Sequence, residues 1–332
     1  MTREHDQVLP PASVLGVGAV TALGRNLHDI ARRLGEPPDP QAAPRRVGDQ
    51  WLLCPAIAAR MRRADRFIRM AVIAALDAWT DAEHAGAGVP MERVGLIMAS
   101  GLGPHVRSFR FLDGILDFGD SAALPTDFSH SVHGAAAAYI AELLGLRGPS
   151  LSITDFENGV EQALLLAQCW LAQGHCERVL VGAAEELGEV LVYCVSRLLG
   201  DTRIIPGEGA VFFTLGPHDR AGRARLEAAA QFRSVDLLML DEPPLRGHPL
   251  DRPAVESRHT ITFSSYFGHS AGSAAFQLLG GLLSLGGQRP LGRRIDYLLD
   301  SDRPGRSIDS AAVFMPSSKT SGRMLLLTGS DR

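Results

Sequence analysis

The chain has 332 residues, of which 45% are apolar and 21% charged, with a formal net charge of −4. That is enough apolar material for one large core or two fused ones, and there is no basic field of the kind nucleic acid requires. No apolar run reaches the ~18 residues that would span a bilayer, and four cysteines at 54, 169, 176 and 194 form no CxxC pattern. Disulfide and zinc readings are therefore unsupported, and a reducing cytoplasm is the default compartment. The first residues, MTREHDQVLPP, are charged and Pro-rich and lack the apolar stretch of a signal peptide.

Short apolar runs alternate with longer helical patterns, which predicts an α/β fold with mixed or parallel sheets. Ser13–Val20 predicts a buried strand, and Asn26–Gly35 an amphipathic helix with a glycine stop. Asp65–Ala82 predicts a long helix buried on most faces, and Arg93–Ser100 another strand. From Gly101 to Gly134 the periodicity fades, and a loop is predicted. A small-residue helix (AAAAYIAELLG), the strand SLSIT, a helix from about Gly159 to Gly174 and the strand RVLVGAAE come next. Gly207–Gly216 reads as an edge-proximal strand closing a first half. Beyond it the pattern is less regular, with a long helix near Ala271–Leu285 and a terminal strand RMLLLTG. Each half offers a strand–helix–strand unit, so the chain divides into residues 1–216 and a reduced second half, 217–332, fused into one unit.

The turn after SLSIT holds Asp155, Phe156, Glu157 and Asn158. An α/β enzyme would place a nucleophile there, yet the turn contains no Cys, Ser or Lys. His130 and His133 flank Ser131 without a third ligand, which does not make a metal site. The glycines of GVGAVTALG do not match G-x-G-x-x-G, and no acidic residue stands at the right distance beyond them. No cofactor is predicted.

Seven segments, in order, carry a resemblance: VLGVGAVTALG, RADRFIRMAVIAALDA, RVGLIMASGLG, LGLRGPSLSIT, CERVLVGAAEE, GEGAVFFTLG and SSYFGHSAGSAAFQLLGGLLSL. The set resembles the β-ketoacyl synthases of the thiolase superfamily over nearly the whole chain. The resemblance implies a thiolase-like α/β fold, with two related halves in an α-β-α-β-α layering. Ketosynthases condense with a Cys at the N-terminus of a buried helix, where the helix dipole lowers the thiol pKa. Two histidines stabilise the carbanion or enolate oxygen that forms when malonyl-carrier protein loses carbon dioxide.

The departures from that pattern are informative. Phe156 stands where the family pattern T-A-C-x-S-G has Cys, and Asp155 or Glu157, one residue away, offers only a carboxylate. The second family histidine is kept as His269, whereas the first has no nearer counterpart than His248. The family's C-terminal Gly-Phe-Gly-Gly loop is represented only by Pro316–Gly322. The resemblance thus implies a degenerate site of Phe156, Glu157 and His269 that does not turn over by the family mechanism.

A ketosynthase-like chain without its Cys is similar to a chain-length factor, the non-condensing half of a type II polyketide synthase heterodimer. The resemblance is nearest to aryl-polyene and other highly reducing systems. It implies an active ketosynthase as partner and an acyl carrier protein reached through the complex. Pairing would run along Ser150, Leu151, Ser152, Ile153 and Thr154, and the wall of a product tunnel would include Phe109, Leu112, Asp113, Leu116, Phe128 and His133. Two other readings stay open. One is a residual malonyl decarboxylation or thioester hydrolysis with Glu157 as base and His269 as donor; the other is a homodimeric binder of fatty acyl chains.

Overall fold

The structure, a computed structural model, describes residues 9–39, 44–83, 88–198, 205–229, 234–240, 255–285, 308–315 and 323–329. The chain opens with β1 (Ala12–Val20), buried along its whole length, and α1 (Leu27–Leu34). Asn26 caps α1, its Oδ1 accepting the His28 N–H at 2.8 Å. The long helix α2 (Arg66–Glu83) leads to β2 (Val94–Ser100).

Three helices come next: α3 (His105–Phe118), α4 (Pro125–Ser131) and α5 (Ala135–Leu144). After them stand β3 (Ser150–Thr154), α6 (Gly159–Ala172), β4 (Arg178–Glu185), α7 (Glu189–Leu198) and β5 (Gly209–Pro217). The remaining described elements are β6 (Ala224–Ala229), β7 (Ser234–Leu240), β8 (Glu256–Ile261), α8 (Ser264–Phe267), α9 (Ser273–Ser284), β9 (Ser310–Met315) and β10 (Arg323–Gly329).

The strands form one mixed sheet in the order β3-β2-β4-β5-β1-β6-β10-β9-β7-β8. Its two sets of five repeat one design. In the first, β2 pairs in parallel with β3 and β4, while β5 runs antiparallel to β4 and β1. In the second, β7 pairs in parallel with β8 and β9, while β10 runs antiparallel to β9 and β6. A short antiparallel contact of β1 with β6, from Ala12 to Val14, joins the sets. Among the described residues, β3 and β8 are the sheet's two edges.

Alternation along the strands builds two large cores and a smaller third cluster of Val235, Leu238 and Leu240 on β7 with Ala312 and Phe314 on β9. On β2, Ile97 and Ala99 face one core, and Leu96 and Met98 face the other. The first core gathers α1, α6 and α9 with strands of both sets; the second packs α2 and α5 on the opposite face. Every residue of α9 is buried, so the Gln and Ser it carries lie inside the core. Gln277 is satisfied there by the Phe263 N–H, which it accepts at 3.0 Å.

Two expectations are corrected. The segment from 101 to 134 is not a loop, because α3 and α4 occupy it. Phe109, Leu112 and Leu116 do recur at helical spacing, yet His105 is the one residue of α3 that is buried. An apolar stripe turned away from the core does not organise the polar residues around it, so the period is lost in the sequence. The strand in Gly207–Gly216 is not near an edge, since β5 lies between β4 and β1 and is buried from 209 to 216. An unbroken apolar run covered on both faces is the mark of a central strand.

Candidate functional site

The C-terminal ends of β1, β2, β3 and β4 meet at one end of the first strand set, where an α/β sheet places its ligands. The turn from β3 into α6 is held by Asp155. Its Oδ1 accepts the N–H groups of Glu157 and Asn158, each at 2.8 Å, and its Oδ2 accepts from Gln162 at 3.2 Å. The Asp155 N–H donates to the Ser100 carbonyl at 3.2 Å and ties the turn to the end of β2. Asp155 thus organises the turn ahead of α6, whose N-cap residue, Asn158, makes no side-chain cap hydrogen bond, and the amides of Glu157 and Asn158 are already committed to a carboxylate.

Phe156 is next, on the outside of the turn, 53% exposed, with its ring beside Gly101. Glu157 is exposed and His269 half-buried. The loop of His269 is fixed through its backbone: the His269 N–H donates to the Ile205 carbonyl at 2.7 Å, and the Gly207 N–H to the His269 carbonyl at 3.0 Å. The chains touch so closely that a Cβ at Gly207 would lie 2.1 Å from the Phe267 carbonyl oxygen. Gly268, at φ +81, takes the left-handed conformation the approach demands.

Behind the turn lies a group of buried carboxylates that the reading of the sequence did not single out. Glu185 ends β4 and accepts the Gly101 N–H at 2.6 Å; Gly272 of the His269 loop packs on its side chain. Burial pushes its carboxyl up to about 7, against the lowering effect of the Gly101 and Leu102 amides and Ser100. Glu186 accepts the Val106 N–H at 3.0 Å, in the first turn of α3. Burial raises it to about 8, and Asp65, Glu208 and Glu185 add to the rise.

His105 lies 3.8 Å from Glu186, too far for a hydrogen bond, and burial lowers its own pKa. Near neutrality the pair is an uncharged acid beside an uncharged imidazole. Glu208 differs, because it has a permanent counter-ion. It accepts from Arg66 Nε at 3.0 Å and from the Val47 and Leu187 amides, each at 3.0 Å. The available signal was a pair of glutamates closing an otherwise apolar strand, a place where charge has to be explained.

Of the residues read as a tunnel wall, Phe109, Leu112, Asp113 and Leu116 lie on α3 and Phe128 on α4, whereas His133 stands between α4 and α5. Phe109, Leu112, Leu116 and Phe128 are exposed, as is Asp113, and Phe111 packs on Phe128 with ring centroids 5.6 Å apart. Arg107 fastens the two helices to α2's start, reaching Asp127 at 2.6 Å and Asp65 at 3.4 Å. His133 is exposed with its ring over Gly103, and His130 is buried, 3.1 Å from the Tyr139 hydroxyl. Ser150 to Thr154 form the edge strand β3, with Leu151 exposed. His248 and Pro316–Gly322 lie outside the described residues.

Comparison with known proteins fits this geometry. Residues 46–202 match the family described as Beta-ketoacyl synthase, N-terminal domain. A search of curated proteins finds no sequence match. Among solved structures, the ishigamide ketosynthase/chain length factor aligns with a TM-score of 0.70 at 15% identity, covering 97% of this chain and 100% of that one. The ketosynthase ApeO in complex with its chain length factor ApeC, from Xenorhabdus doucetiae, gives 0.68 at 15% identity, covering 99% and 100%. A type II polyketide synthase acyl-carrier protein in complex with its ketosynthase, AntDE:AntF, gives 0.70 at 16% identity, covering 97% and 99%. The chain has the thiolase-like ketosynthase fold.

Proposed function

We propose that this chain is a non-catalytic subunit of chain-length-factor type, which pairs along β3 with an active ketosynthase and contributes part of the wall around the growing acyl chain. The observation that carries this reading is the turn from Thr154 to Gly159. Strand, turn and helix are in place, and a phenyl ring stands where the fold would hold a nucleophile. A benzyl group cannot attack a thioester. A thiol there would also face the Asp155 carboxylate, which disfavours the thiolate.

Two further features support the reading. β3 is an uncharged edge strand with an exposed leucine, suited to continuing the sheet into a second subunit. On α3 and α4, Phe109, Leu112, Leu116 and Phe128 present an apolar surface suited to an acyl chain, with Asp113 and His133 as its polar members. On this reading the carrier protein is met through the complex, and the product belongs to a highly reduced or polyene class.

The test is co-expression with a ketosynthase encoded beside it, then size-exclusion chromatography and a condensation assay with malonyl-carrier protein. The pair is expected to co-elute and to elongate, and this chain alone to do neither. Elongation by this chain alone would sink the proposal.

A further inference from the structure

α3 is seated on the sheet by its first turn. His105 is its one buried residue, 4% exposed, and its ring lies against Gly188, where a Cβ would stand 2.5 Å from Nε2. The same Cβ would meet the Val106 side chain at 2.7 Å, and the Val106 N–H donates to Glu186 at 3.0 Å. The chain enters this turn through Gly103, which takes φ +60 and gives its N–H to the Ser100 hydroxyl at 2.8 Å.

This seat carries two costs. Both ring nitrogens of His105 are buried without a hydrogen-bond partner among the described residues, a costly state for polar atoms. Glu186, 3% exposed, faces Asp65, Glu208 and Glu185, and all three carboxylates oppose its ionisation. The cations beside them are committed elsewhere: Arg66 to Glu208 and Asp49, Arg107 to Asp65 and Asp127, and Arg46 to the Leu187 carbonyl. An ionised Glu186 would therefore be a buried charge with the Val106 amide as its hydrogen-bond donor.

We propose that the first turn of α3 is a proton-held latch: it sits on Gly188 while the Glu186–His105 pair holds one proton, and loss of that proton to water lifts it about Gly103. Lifting brings water to the carboxylate and to both imidazole nitrogens, so one movement relieves both costs. It gives up little apolar burial, because the rest of α3 is not buried. Arg107 reaches Asp65 at 3.4 Å and Asp127 at 2.6 Å, and the longer contact is the one the movement breaks. Phe109, Leu112 and Leu116 ride on the same helix, so the latch governs how that apolar face is presented. The latch requires the fold alone and would stand if the chain-length-factor reading failed.

The test is hydrogen–deuterium exchange of the full chain from pH 5.5 to pH 9, corrected for the intrinsic exchange rate at each pH. Seated, Glu186 titrates at about 8, against 4.5 when exposed, so the seated state loses ground between those values and no further above them. Protection of the first turn of α3 is expected to fall by up to about tenfold per pH unit to pH 8 and then level off. Amides of α2 should stay better protected at every pH, which marks the opening as local. Glu186→Gln keeps an acceptor for the Val106 N–H and should abolish the fall. Gly188→Ala places a methyl where the His105 ring sits and should remove protection already at pH 5.5. Protection independent of pH, an equal fall in Glu186→Gln, or an equal loss in α2 would overturn the proposal. If Glu186→Gln does not fold, Gly188→Ala decides, since unchanged protection there would also overturn it.

Discussion

The two edges of the sheet occupy equivalent places in the two strand sets and end in opposite chemistry. β3 reads Ser-Leu-Ser-Ile-Thr, without a charge, and leaves Leu151 42% exposed. β8 reads Glu-Ser-Arg-His-Thr-Ile; Arg258 is held by Asp236 at 3.0 Å, and Ser257 and Thr260 share a hydrogen bond at 2.9 Å. Charged side chains along an edge oppose the addition of another strand. β8 is thus guarded and β3 is open.

The segments leaving these two strands differ in the same sense. After β3 the chain makes an exposed turn around Asp155, and after β8 it enters a loop held from within by Gln277. A repeated topology provides two candidate edges, and the side chains make β3 the one better suited to adding a strand.

The difference extends inward, because the end of the first set is built on buried carboxylates. Its largest expected break is Glu208→Ala. Glu208 has no exposed side-chain surface and neutralises Arg66, so its loss should cost about 3–5 kcal/mol in urea unfolding. Next comes Leu151→Lys, which gives β3 the guard that β8 already has. It should weaken pairing with a ketosynthase by about 2 kcal/mol or more, roughly thirtyfold, as read by co-elution. Ser257→Lys on β8 should leave pairing unchanged, and equal losses at both edges would break the comparison.

A third expectation concerns pH. Glu185 and Glu186 titrate at about 7 and about 8 in the folded chain, above the usual carboxylate value of 4.5. Between those values the folded state holds protons that the unfolded state has released. Their contribution to stability is therefore complete below about pH 4.5 and is lost as pH rises through 7 and 8, by up to roughly 1.4 kcal/mol per pH unit for each group. Denaturation measured from about pH 5 to pH 8.5 should show this slope, and Glu185→Gln with Glu186→Gln should flatten it. The smallest effect is expected at Glu157→Gln. The residue is exposed, so stability should move by less than about 0.5 kcal/mol, and an unchanged condensation rate in the pair would dispose of Glu157 as a base.

Elements that bury a regular pattern were legible in the sequence. β1, α2, β2, α6, β4 and α9 all drive apolar side chains into one of the two large cores, and their periods survive in the letters. α3 was not legible because its stripe points outward, and β8 was missed because its alternating half-exposed residues carry charge. In the site, the turn at Asp155–Asn158 could be read because strand and helix bracket it closely. Glu185, Glu186 and Glu208 could not be assigned beforehand. Whether a glutamate is a surface charge or a buried acid depends on which amides and counter-ions the fold brings to it, and Gly101, Val106 and Arg66 are distant in sequence.

The apolar face of α3 and α4 has a consequence for the life of the chain in a cell. Leu116 is 81% exposed and Phe128 57%, and both sit on the same half of the molecule as an unguarded edge strand. A copy released from the ribosome with nothing to cover that face presents chaperones and proteases with the surface they recognise in misfolded proteins. On the proposed pairing, copies made in excess of the partner that covers this face would be removed, and abundance would follow supply of that partner rather than the chain's own rate of synthesis.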